Sequence, residues 1–254
     1  MRNLDVDGIP VSTRSVPSEL PEVASLIEFT TTIIDSGDGP ELCLGGVAES
    51  RPPQCSGPVA DNLVMSENWA ETLSGVSWGE RTVVVRWPPV DGHVELVSDE
   101  PTKPRPPTDR SPPQIPDECT AITEFVGEDA LHEWATANPD RAGIGFVFPT
   151  PSGQQLGYQV VGDLDAARAE LRDGDRQPCL VQVQFTQADL SDAQREMHEN
   201  AEQGLWLTAS ASGNMTNRIT ASVAVADLRT VGGVAALLDD PAMLTISGSG
   251  VILE

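Results

Sequence analysis

Two of the four cysteines, Cys43 and Cys55, flank a double proline in the stretch ELCLGGVAESRPPQCSGP, residues 41 to 58. Three chemistries use such a pair: a metal clip, a reactive thiol, or a disulfide. A metal clip wants a second cysteine or histidine pair at ligand spacing, and the neighbouring sequence offers none. A reactive thiol wants a histidine or other cation to stabilise the thiolate, and no motif supplies one. A disulfide remains. It closes a loop of about 13 residues and contributes ~3 kcal/mol by restricting the unfolded chain. Pro52 and Pro53 stiffen the tip of that loop, while Gly45, Gly46 and Gly57 permit close turns at its base. Cys119 and Cys179 are left to pair with each other. Four cysteines allow three connectivities, and the two alternatives would cross the proline-rich segment between the halves of the chain.

The segment GVSWG, residues 75 to 79, matches the G-x-S-x-G nucleophile elbow with Ser77 at its centre. That motif requires a strand before the serine and a helix after it. Here the strand-like RTVVVRW follows, so a glycine-bounded turn is the expectation. His93, His132 and His198 are far apart, without a second histidine or cysteine at ligand spacing. The run DSGDGPE, Asp35 to Glu41, is as acidic and glycine-rich as a calcium loop but misses the D-x-D-x-D-G register, and it reads as a turn. Neither a phosphate-binding loop nor a dinucleotide fingerprint is present. The expectation is therefore no catalytic residue, no metal site and no cofactor.

Those residues belong to a chain of 254 residues with 15 Lys and Arg against 39 Asp and Glu, a formal charge of −24. Such a charge repels phosphate backbones and anionic lipid, which argues against nucleic acid as a partner and suits a soluble surface or a basic partner. No stretch approaches the roughly 20 apolar residues of a membrane-spanning helix. The start, MRNLDVDGIPVSTRSVPSEL, lacks the charged head and apolar centre of a signal peptide. An even number of cysteines nevertheless suits an oxidising compartment. The expectation is an extracellular or cell-surface protein, with Met1 beginning a mature portion whose export signal or lipid anchor has been left off.

Four segments are expected. Residues 1–25, polar and proline-punctuated, read as a flexible leader. Residues 26–98 carry the β-type runs IEFTTTII, ELCLGGV, RTVVVRW and HVELV between turn signals, a small disulfide-stapled all-β domain in the form of a sandwich or barrel. Residues 99–118 hold seven prolines and read as an extended linker. Residues 119–254 alternate strands and helices. IGFVFPTPSGQQLGYQVV is a hairpin turning at TPSG, DLDAARAELR puts Leu164, Ala167 and Leu171 on one helical face, and CLVQVQF alternates as a strand. Thr186 reads as the N-cap of a second helix, with Asp189 three residues on and a Phe185/Leu190 staple. LWLTASAS and ITASVAVA form a hairpin about GNMTN, DLRTVGGVAALLDD a glycine-weakened third helix, and LTISGSGVIL a last strand. That order favours an α+β two-layer sandwich on a mostly antiparallel sheet.

The stretch ELCLGGVAESRPPQCSGP, with WGERTVVV some twenty residues on, resembles a segment of secreted proteins and lipoproteins of high-GC Gram-positive bacteria, whose cysteine-flanked E-S-x-P-P-Q-C loop is the distinctive part. Residues 141 to 226 are more weakly similar, in the order of glycine-rich hairpin, VVGDLDAARAEL, cysteine-bearing strand, ADLSDAQREM and NRITASVAVA, to the pro-regions of α-lytic-type secreted serine proteases. The first resemblance implies export or a surface tether; the second implies a small α+β module. The functional expectation is a non-enzymatic binding or structural module of the cell envelope, with a protein or other envelope component as partner. The alternatives are a folding chaperone or inhibitor of a protease and, behind it, a serine hydrolase acting through Ser77.

Overall fold

The structure, a computed structural model, describes residues 2–13, 19–45, 47–102, 116–151, 153–200, 208–211 and 217–253. It is a mixed α+β fold. Its strands are β1 (Arg2–Val6), β2 (Ile9–Thr13), β3 (Leu26–Asp35), β4 (Glu41–Leu42), β5 (Val47–Ala48), β6 (Gln54–Cys55), β7 (Val59–Asp61), β8 (Glu71–Leu73), β9 (Val76–Arg86), β10 (His93–Pro101), β11 (Ala142–Thr150), β12 (Gly153–Val161), β13 (Leu180–Val183), β14 (Thr208–Ala211), β15 (Ile219–Val223), β16 (Leu244–Gly248) and β17 (Val251–Ile252). The α-helices are α1 (Glu128–Ala137), α2 (Leu164–Leu171), α3 (Gln187–Asn200) and α4 (Leu228–Ala235). The residues gather into two compact units, one from Met1–Pro106, Glu196–Ala209 and Thr220–Glu254, the other from Pro107–Arg195 and Ser210–Ile219.

In the first unit β3 is paired along its whole length with β9 and, near its end, with β4. The succession β3, β4, β7, β10, β9 and back to β3 returns to its start, so five strands close a small barrel. Closure removes the exposed edges that an open sheet of this size would present. Ile27, Phe29 and Ile33 of β3 and Val83 and Val85 of β9 point inward, with Leu42, Ala60 and Val94 from the other strands. Ala224, Val225 and Ile252 belong to the same core. The opposite parity of β3 and β9 faces outward, with the cross-strand pairs Thr30/Thr82, Thr32/Glu80 and Ile34/Trp78. The sequence expectation of a sandwich or barrel thus resolves to a barrel.

Three segment expectations are corrected. Residues 2–6 and 9–13 of the supposed leader form an antiparallel hairpin, and β2 also pairs in parallel with β16. Its turn is Asp7–Gly8, both at positive φ, and alternation buries Ile9, Val11 and Thr13. Leu20 and Ala24 are buried too, and the Pro21 and Glu22 carbonyls accept from the first amides of α4. Residues 14–18 lie outside the described residues. The expected linker begins too early, because β10 runs to Pro101 and Asp99 is ion-paired with Arg81. Residues 103–115 of it lie outside the described residues. Finally, residues 220–254 group with the barrel, because β17 pairs with β3.

The second unit holds a three-stranded sheet, β11-β12-β13. β11 and β12 form the expected hairpin, while β13 returns parallel to β12 after the crossover through α2. Asp163 caps α2 by accepting from the Ala166 amide at 2.9 Å. α1 and α2 cover one face, burying Leu131, Trp134, Tyr158, Val160, Ala167 and Leu180 together. Thr186 and Asp189 form the expected box at the start of α3: the Thr186 amide donates to Asp189 at 2.9 Å, and the Asp189 amide to the Thr186 hydroxyl at 3.0 Å. Both Phe185 and Leu190 are buried. β14, β15 and β16 join a separate sheet ordered β1-β2-β16-β15-β14 and β17 joins the barrel sheet, so the strands expected in a single mostly antiparallel sheet lie in three. LTISGSGVIL supplies two strands in different sheets, β16 and β17, rather than one. Of the hairpin GNMTN, residues 213–216 lie outside the described residues.

Candidate functional site

Both disulfides are formed, Cys43 with Cys55 and Cys119 with Cys179, each with Cα atoms 5.3 Å apart. Cys119 and Cys179 are buried against Phe146 and Phe148. At the first bridge, the Cys43 amide donates to the Thr32 carbonyl at 3.0 Å and the Thr31 hydroxyl to the Cys43 carbonyl at 2.6 Å. These bonds fix the loop to β3. At its other end the Gly57 amide donates to Glu41 Oε1 at 2.6 Å, and a Cβ there would meet the Leu42 carbonyl oxygen at 1.6 Å. Glycine is therefore required for this close approach. Between these anchors β5 and β6 form a minimal hairpin, Val47 opposite Cys55 and Ala48 opposite Gln54.

That hairpin shapes an open cleft of ≈ 570 Å³ with the outward side of the barrel. Thr32, Trp78, Gly79 and Glu80 contribute from the strands, Val47 to Arg51 and Pro53 from the loop, and Glu71 from β8. Trp78 is half-buried; Glu49, Glu71 and Glu80 are exposed. Arg51 bridges to Glu71 at 2.9 Å. The lining thus carries three carboxylates and one guanidinium, with one indole ring between them. This combination suits recognition of a polar or cationic ligand: the carboxylates accept hydrogen bonds, and the ring offers a face for stacking. Among the described residues no three His, Cys, Asp or Glu side chains group as metal ligands.

Ser77 lies one residue from Trp78 on β9, paired with Asp35 of β3 and Thr72 of β8. Its hydroxyl is 2.8 Å from that of Thr72. The segment before it is the β8–β9 turn, where Ser74 and Gly75 have positive φ, and no helix follows. The elbow geometry is therefore not the one this sequence builds. The three histidines stand apart: His93 Nδ1 is 2.9 Å from Asp61 Oδ1, His132 Nδ1 is 2.8 Å from the Tyr158 hydroxyl, and His198 is exposed on α3. Burial pushes the Tyr158 phenol up from its ordinary pKa. In the Asp35 to Glu41 run, Asp35 accepts from the Gly37 amide at 2.8 Å, and Gly37 and Gly39 take positive φ, as a tight turn requires.

A second polar cluster lies in the other unit. Glu170 on α2 accepts from Trp134 Nε1 at 2.9 Å and from Arg141 at 3.0 Å and 3.1 Å, and the Arg141 guanidinium lies 5.6 Å from the Trp134 ring centroid. The Trp134 and Arg141 hydrogen bonds hold the Glu170 carboxyl below its ordinary pKa. This cluster is complete within the chain.

The cleft is the part that residue-by-residue reading missed. Its signal was the parity of β9: a strand whose odd residues enter the core puts Trp78 and Glu80 outward together, beneath whatever the cysteine loop covers. No protein-family model matches the chain, and no curated protein matches it.

Proposed function

We propose that the protein is a non-enzymatic binding module, exported or surface-tethered and working in the cell envelope, and that the cleft under the cysteine loop is its binding site. The proposed organisation is a disulfide-stapled β domain joined by a proline-rich spacer to an α+β domain. The observation that carries the reading is the pinned loop: a disulfide and backbone bonds at both ends hold one wall of an aromatic, acidic cleft against a closed barrel. Preorganisation of this kind lowers the entropy cost of binding. Export is supported by two disulfides and no free cysteine among the described residues.

The test uses the full chain, labelled with 15N, and three soluble probes: maltotriose, a capped Gly-Ser-Gly peptide and a capped Gly-Arg-Gly peptide. At least one is expected to shift the Trp78 indole N–H and the amides of residues 47–51 in a saturable way, leaving the Trp134 indole unmoved. If none of the three moves Trp78 at millimolar concentration, the cleft is not a binding site and the reading is overturned.

A further inference from the structure

The chain builds one recognition unit twice for itself. In the barrel, the Arg81 guanidinium lies 5.1 Å from the Trp69 ring centroid and is ion-paired with Asp99. In the second unit, Arg141 lies over Trp134 and is paired with Glu170. Each unit is an indole face, a guanidinium lying over it, and a carboxylate ion-paired with that guanidinium. The arrangement is favourable because the planar, weakly hydrated cation can stack and donate bidentate hydrogen bonds at once.

Trp78 has the indole and the carboxylates of such a unit without the cation. Among the described residues no guanidinium or ammonium lies over its ring, and neither Glu49 nor Glu80 has a cationic partner. Arg51, the cation on the rim, is engaged with Glu71. Taking the cleft as a binding site, as proposed above, we infer that its ligand is an arginine side chain presented by a basic segment of a partner protein, the guanidinium stacking on Trp78 between Glu49 and Glu80.

Charge and size agree with this occupant. The cleft's three carboxylates outnumber Arg51, and the whole chain at −24 steers basic partners toward it. Its ≈ 570 Å³ exceeds what one side chain fills and leaves space for flanking peptide. The carboxylates do not converge as metal ligands do, which disfavours a compact divalent cation and suits a broad planar one.

The experiment compares capped Gly-Arg-Gly with its citrulline analogue, equal in shape but neutral, by titration into the labelled full chain. Saturable movement of the Trp78 indole is expected with arginine, at an affinity about fivefold or more above that for citrulline. Trp78→Leu is expected to weaken arginine binding by about fivefold. The double variant Glu49→Gln, Glu80→Gln should weaken it and flatten its salt dependence. The Trp69 and Trp134 signals report in the same spectra that each variant is folded. Equal binding of arginine and citrulline peptides, or arginine shifts that spare Trp78, would overturn the inference. Should maltotriose or Gly-Ser-Gly move Trp78 while arginine does not, the arginine proposal falls and the binding-module reading stands. If no probe moves it, both fall.

Discussion

Replacing each cysteine pair with alanine should destabilise the two units by different amounts, and the difference follows from chain length. Cys43 and Cys55 are 12 residues apart in sequence, and Cys119 and Cys179 are 60 apart. In the loop-entropy relation the shorter closure stabilises by ~2.9 kcal/mol and the longer by ~4.3 kcal/mol, a gap of about 1.4 kcal/mol or a factor of about 10 in the unfolding constant. Alanine is the replacement to use, because Cys43, Cys119 and Cys179 are buried and a serine hydroxyl there would add a desolvation cost. Guanidinium unfolding followed by hydrogen exchange reads the units separately, with peptides from β3 and β9 for the barrel and from α1, α2 and β12 for the other unit. Cys43→Ala, Cys55→Ala should lower protection in the barrel alone; Cys119→Ala, Cys179→Ala should lower it in the second unit alone, and by more. Equal losses, or the larger loss from the shorter loop, would refute the reasoning from loop length.

Asn217 is buried at a φ of 50°, accepts from the Gln184 and Phe185 amides, and donates to the Phe185 carbonyl and Gln159 Oε1. Asn217→Ala strands these groups and should cost about 3 kcal/mol in urea unfolding of the second unit, whereas a loss under about 1 kcal/mol would mean that water replaces the amide. Glu170, its folded pKa depressed, stabilises the second unit above the ordinary carboxylate pKa and loses that contribution as pH falls through the lower folded value. Melting curves of the native protein and Glu170→Gln should therefore differ at neutral pH and converge in acid; a gap that persists at the acid end would assign the effect to packing.

Local chemistry was legible where one short segment carried the whole signal. The Thr186/Asp189 box and the β11–β12 hairpin each act within a few residues, and the structure keeps both. The cysteine pairing was legible from the segment boundary, since only one connectivity keeps each bridge on its own side of the proline-rich stretch. Asp7–Gly8 was an equally local hairpin signal, followed by alternating Ile9, Val11 and Thr13, but the polar, proline-dotted surroundings hid it. Non-local facts were out of reach. Nothing near Gly250 announces that a Cβ there would lie 2.5 Å from Ile27 and 2.7 Å from Phe29, so the break in LTISGSGVIL could not be anticipated. The cleft failed to appear for the same reason: its two walls are separate in sequence, and the tryptophan between them drew attention only as part of a serine motif.

The pairing of β2 with β16, and of β3 with β17, sets an order of events during synthesis. β2 and β3 find these neighbours only when residues 244–252, more than 200 positions later in the chain, have followed them. Until then β2 has its β16 side uncovered, and the barrel core lacks Ile252. Contacts this distant along the chain form slowly and leave the nascent protein open to wrong pairings.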